Sequence, residues 1–338
     1  FYDPLKITPE VHLLIDSALA RKFNDTESIA NYYAVFAAFV NLKFKTLEEW
    51  LDVQLVITKI TIFSNRTEPF IKKPPGNERV IMTDSLEYLK NYTQDKHEFA
   101  EDDIVVLLTG LNIASYNFTT NEVKSEGILG YAYVGGACRS SKVGMVEDEA
   151  NMFTGTHTFV HEVGHLLGMS HDGDDPPTSV KDSPGASYCN ASDGYIMAPS
   201  HNVNSTHIFS VCSADQLEAF HMDPSIKCLN NTPQRHSNNL TVNDIKEKAV
   251  SPQKFCELEH PGTNIRHQEH YKVDKMDYDL MRCDIICVNQ DTNTLTLHDA
   301  PDNTLCSSEN TSLICLNKDC VYIPTDLKTF ETKPEQAT

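Results

Sequence analysis

The sequence predicts an α/β domain followed by a small disulfide-rich one. Three observations predict it: an apolar strand feeding an amphipathic helix near the start, an unbroken apolar run at residues 104–109, and six cysteines crowded between residues 256 and 320. At 338 residues the chain is long enough for one large domain plus a smaller one, and 40% hydrophobic residues is ordinary for a globular protein.

Residues 11–16 (VHLLID) read as a buried strand, and residues 28–44 carry Ile29, Tyr33, Phe36, Val40 and Phe44 at helical spacing. Val53, Leu55, Ile57, Ile60 and Ile62 mark a second strand, residues 72–77 (KKPPGN) a turn, and residues 83–92 a second helix. The β-branched and leucine run at 104–109 fits a central strand covered on both faces. Residues 127–134 (GILGYAYV) alternate small and large side chains, residues 152–167 predict a helix, and Ser213 with Gln216 predicts the cap of a last helix.

After Cys228 the composition turns to Asn, Thr, Gln and Ser, as in a linker, and a second unit begins near Cys256. Cys256, Cys283, Cys287, Cys306, Cys315 and Cys320 lie in a stretch too short for a large core, so disulfides must supply much of its stability. Their fifteen possible pairings stay open. The expected organisation is therefore residues 1–231, a linker at 232–252, a cysteine-rich unit at 253–324, and a mobile tail at 325–338.

Lysine and arginine total 28 against 48 aspartates and glutamates, and a formal charge of −20 argues against nucleic acid or an anionic membrane as partner. No apolar run approaches the roughly 20 residues of a membrane span. The ten cysteines include no Cys-x-x-Cys pair, and Asn-x-Ser/Thr sequons begin at Asn24, Asn65, Asn91, Asn117, Asn190, Asn204, Asn230, Asn239 and Asn310. Together they predict disulfides, glycosylation and secretion. The opening Phe1-Tyr2-Asp3-Pro4 has no basic and apolar leader, so the chain reads as a mature form.

The chemistry concentrates in residues 161–172 (HEVGHLLGMSHD). His161 and His165, four apart, share a helix face with Glu162 beside them. Gly168 can take the positive φ that ends the helix and brings His171 back as a third ligand. Three neutral imidazoles leave one zinc position open, the mark of a catalytic rather than a structural site, and Glu162 would be the general base. His157, one turn earlier, is expected to be structural. The acidic run at residues 172–177 lacks the alternating ligand spacing of a calcium hand and reads as a solvated loop.

With these residues, and with Met197 in the YIMAP run at 195–199, the chain resembles the metzincin proteases, in the adamalysin or reprolysin branch of snake-venom, ADAM and ADAMTS enzymes. Asp172 after the third histidine marks the branch. The resemblance covers residues 5–231, and its style is most like secreted tick salivary metalloproteases. It implies a mixed, mostly parallel twisted sheet with a zinc cleft, and a methionine turn that sets Met197 beneath the ligands. It implies an edge strand at Gly130, Tyr131 and Ala132 for an extended peptide, and a pocket shaped near Ala198 and Pro199. It also implies bridges Cys138–Cys228 and Cys189–Cys212, and calcium held by Glu10, Asp103, the Cys228 carbonyl and Asn231.

The cysteine-rich unit resembles, loosely, modules that dock macromolecular substrates, and its deletion is expected to weaken cleavage of large substrates more than of short peptides. The implied function is a secreted, monomeric zinc endopeptidase acting on extracellular matrix or clotting proteins. The alternative is a metzincin-fold protein that captures a partner through the cysteine-rich unit, which would normally carry a damaged zinc motif.

Overall fold

The run at 104–109 lies inside a six-stranded sheet with every residue buried. A computed structural model of the chain describes residues 4–64, 68–200, 205–230, 237–273, 276–325, 327–330 and 334–337. The sheet contains β1 (Glu10–Ile15), β2 (Val56–Ile62), β3 (Ile104–Thr109), β4 (Gly130–Ala132), β5 (Val143–Glu147) and β6 (Pro334–Gln336). Their order is β6-β2-β1-β3-β5-β4, parallel throughout except for β4, which runs antiparallel to β5.

Alternation along β3 divides the core. Ile104, Val106 and Leu108 join one apolar cluster with helices α1 (Thr26–Phe44) and α3 (Gly155–Leu166). Val105 and Leu107 join another, with Leu86 and Leu89 of α2 (Ser85–Gln94). Side chains of this size contribute about 1.5–3 kcal/mol each when fully buried, so the two-faced strand anchors the domain. Helix α1 begins with a capping box between Asp25 and Ser28 and fully buries Tyr32, Tyr33, Phe36, Phe39 and Phe44.

Beyond helix α4 (Val211–His221), the C-terminal region combines α5 (Pro252–Glu259), three antiparallel strands (Ile265–Gln268, Asp284–Asn289, Leu295–Asp299) and a hairpin (Leu313–Leu316, Asp319–Tyr322). Its cysteines pair as Cys256–Cys287, Cys283–Cys315 and Cys306–Cys320, while Cys138–Cys228 and Cys189–Cys212 staple the first unit. No helix among the described residues is long and apolar enough to cross a membrane.

Two expectations need correction. The stretch 232–252, expected as a linker, carries a strand (Ser237–Asn239) and a helix (Val242–Glu247) capped by Thr241 and Asp244 among its described residues. Nor are the described residues of 325–338 without structure: Lys328–Phe330 pairs with Ser237–Asn239 and β6 extends the main sheet. The physical cause is the bare edge of β2, whose unpaired N–H and C=O groups are satisfied by added chain. Glu335 also pairs with Lys59 at 3.2 Å.

The two regions share a buried polar knot. The Lys43 ammonium, fully buried on α1, lies 2.9 Å from Asp302 Oδ2 and donates to Asn317 Oδ1 at 2.9 Å. Thr156 Oγ1, in the first turn of α3, donates to the same Asp302 oxygen at 2.9 Å.

Candidate active site

Helix α3 is fixed at its start by Asp148, a buried carboxylate that accepts the Gly155 N–H at 3.0 Å and the hydroxyls of Tyr32 and Tyr33 at 3.0 and 3.1 Å. It is fixed at its end by Gly168, whose φ of +95° closes the helix through Gly168 N–H to His165 O and Met169 N–H to Gly164 O. A Cβ at Gly168 would also stand 2.7 Å from Phe220 Cβ of α4, so conformation and close packing both demand glycine there.

The returning chain is held at each step. Ser170 donates its N–H and Oγ to Gln216 Oε1 at 2.9 and 2.8 Å. The Asp172 N–H donates to Met197 O at 2.9 Å, and Asp172 Oδ1 accepts from Ser210 Oγ at 2.6 Å. Ser210, not Ser213, is the N-cap of α4, accepting the Ser213 N–H at 3.2 Å. The helix therefore starts three residues earlier than expected, and Gln216 is a brace for the zinc loop rather than a capping residue.

His161, His165 and His171 converge. His171 Nε2 is 3.2 Å from both His161 Nε2 and His165 Nε2. The opposite ring nitrogens of His161 and His165 face the carbonyls of Ile196 and Met169 at 2.7 and 2.8 Å. A carbonyl only accepts, so each of these Nδ1 atoms carries the proton and each Nε2 turns a lone pair inward. Burial, reinforced by the other two imidazoles, pushes His165 down to about 3, which keeps it neutral. Lone pairs crowded this closely repel one another unless a cation lies among them. A tetrahedral zinc with bonds of about 2.0–2.1 Å separates its nitrogens by roughly 3.3–3.4 Å, so the donor set fits that ion.

Glu162 stands beside them, buried, with Oε2 lacking a hydrogen-bond partner among the described residues. Burial pushes its carboxyl up to about 8. Met197 is fully buried, and its Sδ would lie 2.6 Å from a Cβ on Gly164. The turn that carries it is closed by the Ala198 N–H to Tyr195 O bond at 2.9 Å.

A cleft of about 640 Å³ opens over these groups, lined by Gly130, Tyr131 and Ala132 on one side and Ala198 and Pro199 on the other. Among the described residues strand β4 is hydrogen-bonded only to β5, and Gly130, Tyr131 and Ala132 line the cleft. Gly130 touches Glu162: a Cβ there would stand 2.6 Å from Glu162 Cγ and Oε1. Nothing in the local spacing signals this contact, nor that between Gln216 and Ser170. His157 lies outside the three-histidine cluster, its ring 5.0 Å from that of His207.

Away from the cleft, Asp103 Oδ2 accepts the Glu10 N–H at 2.9 Å, and Asp103 lies against the Cys138–Cys228 bridge. Burial pushes the Asp103 carboxyl up to about 7, against the lowering effect of the Glu10 N–H it accepts. Asn231, the fourth expected calcium ligand, lies outside the described residues.

The Reprolysin_5 model of metallo-peptidase family M12 matches residues 8–210. The chain belongs to the reprolysin family of M12 metallopeptidases. This reprolysin is 30% identical over 240 residues to a Bombyx mori "disintegrin and metalloproteinase with thrombospondin motifs like" protein, covering 68% of this chain and 34% of that one. It is 32% identical over 232 residues to venom metalloproteinase antarease-like TtrivMP_A of Tityus trivittatus, covering 66% and 57%. It is 27% identical over 240 residues to zinc metalloproteinase recombinant fibrinogenase II of Deinagkistrodon acutus, covering 69% and 86%. The chain thus spans less than two thirds of the first two. These relatives carry the family assignment and not a tick source.

Proposed function

We propose that this chain is a secreted zinc endopeptidase that hydrolyses internal peptide bonds of extracellular proteins. The observation that carries the reading is the convergence of three imidazole Nε2 atoms beside buried Glu162, whose Oε2 has no partner among the described residues, at the foot of an open strand edge. His161, His165 and His171 would hold zinc, which when bound supplies a Lewis acid for the scissile carbonyl and for water. Glu162 takes the proton from the attacking water and returns it to the leaving amine. The outer edge of β4 holds the substrate backbone by strand addition, and Ala198 and Pro199 bound the pocket for its side chain.

Five disulfides and nine sequons support secretion and glycosylation, and a fibrinogenase among the relatives favours clotting or matrix proteins as substrates. We take the protein as a monomer with a catalytic unit at 1–231 and a cysteine-rich unit at 253–324. Digestion of a denatured protein with and without phenanthroline tests the activity. Chelator-sensitive cleavage supports the reading, and no cleavage by zinc-loaded protein leaves a metzincin-fold binding protein in its place.

Gly130→Ala gives a sharper check of the cleft. The added methyl displaces Glu162, so kcat should fall at least about tenfold, as for a base moved by an ångström, while zinc content stays at the wild-type level. Steady-state kinetics with metal analysis decides it. Calcium held by Glu10, Asp103 and Cys228 would relieve the buried carboxylate of Asp103. Millimolar calcium should therefore raise the unfolding midpoint of the wild type and leave that of Asp103→Asn unchanged, as read by thermal melts.

A further inference from the structure

A second cavity, of about 770 Å³, lies in the seam between the catalytic unit and the cysteine-rich unit. It opens from the cleft: Leu129, His157 and Thr158 line both spaces, and Leu129 immediately precedes β4. A polypeptide laid along β4 therefore continues into the seam.

The walls specify a chemistry. Six carboxylates line the cavity against one lysine, Lys43, and the Lys43 ammonium is buried and taken by Asp302. Asp148 is occupied by the two tyrosine hydroxyls and a backbone N–H, and Asp299 by Lys318. Glu147 accepts the Ile113 N–H and Glu149 is paired with Lys22, while neither Glu147 nor Glu259 is paired with a lysine or arginine among the described residues. Glu149 comes from the catalytic unit and Glu259 from the end of α5, and both line the cavity. Leu129 and Leu258, 51% and 40% exposed, supply apolar wall between these carboxylates. A side chain with an apolar stem and a cationic head satisfies both features.

We propose that the seam cavity is a specificity site that receives a lysine or arginine side chain of the polypeptide substrate, at one fixed position on one side of the scissile bond. This rests on the protease reading of the cleft. It makes the cysteine-rich unit a wall of the substrate site, with Glu259 as its specificity-determining residue.

The test uses the full zinc-loaded chain and a positional-scanning peptide library, read in two ways: cleavage by the wild type, and capture of uncleaved peptides by Glu162→Gln. Both readouts should be enriched in Lys or Arg at a single position. Glu259→Gln should lower that enrichment about threefold, as for loss of one partly exposed ion pair, and Glu259→Arg should abolish it. Glu147→Gln, on the opposite wall, should act like Glu259→Gln. Cleavage with no basic preference, or a preference that survives Glu259→Arg, overturns the seam site and leaves the protease standing. Capture with the basic preference but no cleavage keeps the seam site and overturns the protease, and neither capture nor cleavage overturns both.

Discussion

Glu162→Gln should lower kcat/KM for peptide hydrolysis by about 10²–10⁴-fold, the usual contribution of a positioned general base. The amide keeps the shape of the side chain but cannot take a proton from water. The three imidazoles are fixed by other groups, His161 and His165 by the Ile196 and Met169 carbonyls and His171 by the loop that Gln216 and Ser210 brace. Zinc should therefore remain bound at the wild-type stoichiometry. Steady-state kinetics with atomic absorption on one preparation checks both halves, and full turnover in the variant would remove Glu162 from the mechanism.

Asp302→Ala should destabilise the fold by about 3–5 kcal/mol, the range for removing one partner of a buried ion pair. The loss leaves the Lys43 ammonium buried and takes the acceptor away from Thr156 in the first turn of the zinc helix. Burial alone would raise the Asp302 carboxyl, but Lys43 and His207 beside it hold it below its usual range. The native state therefore binds that proton less tightly than the unfolded chain. The stabilisation is full at neutral pH and is lost as pH falls below about 4. Replacing both partners together, Lys43→Met with Asp302→Leu, should recover most of the stability, because no charge is left uncompensated. Denaturant unfolding of the wild type and the two variants measures it.

The same knot changes what truncation is expected to do. A chain cut after residue 253 loses Asp302, the Asn317 acceptor for Lys43, and strand β6. Hydrolysis of short peptides should then fail together with that of proteins. A detachable docking module, as the resemblance implied, would cost large substrates more than short peptides.

What the sequence made legible was whatever repeats over a few residues. The 104–109 run declares its burial by unbroken apolar character, the stripe from Ile29 to Phe44 by periodicity, and His161, Glu162 and His165 declare their shared face by spacing. The last helix was misplaced by three residues because Ser213 with Gln216 matches a capping pattern as well as Ser210 does. The choice is made by Asp172, which sits 38 residues before Ser210 and binds its hydroxyl. Lys43 could not be read at all: its partner Asp302 lies 259 residues away, and no local pattern encodes such a pairing. The tail was misread for a related reason. Its polar composition suits an exposed edge strand as well as a disordered end, and its pairing with β2 is long-range.

The most direct test of the zinc-protease account is a titration of metal-free protein with zinc while peptide hydrolysis is followed. Turnover should rise in proportion to added zinc and reach its plateau at one equivalent per chain, with His171→Ala showing no such plateau. Turnover that is already maximal without zinc, or that ignores the loss of His171, would contradict the account.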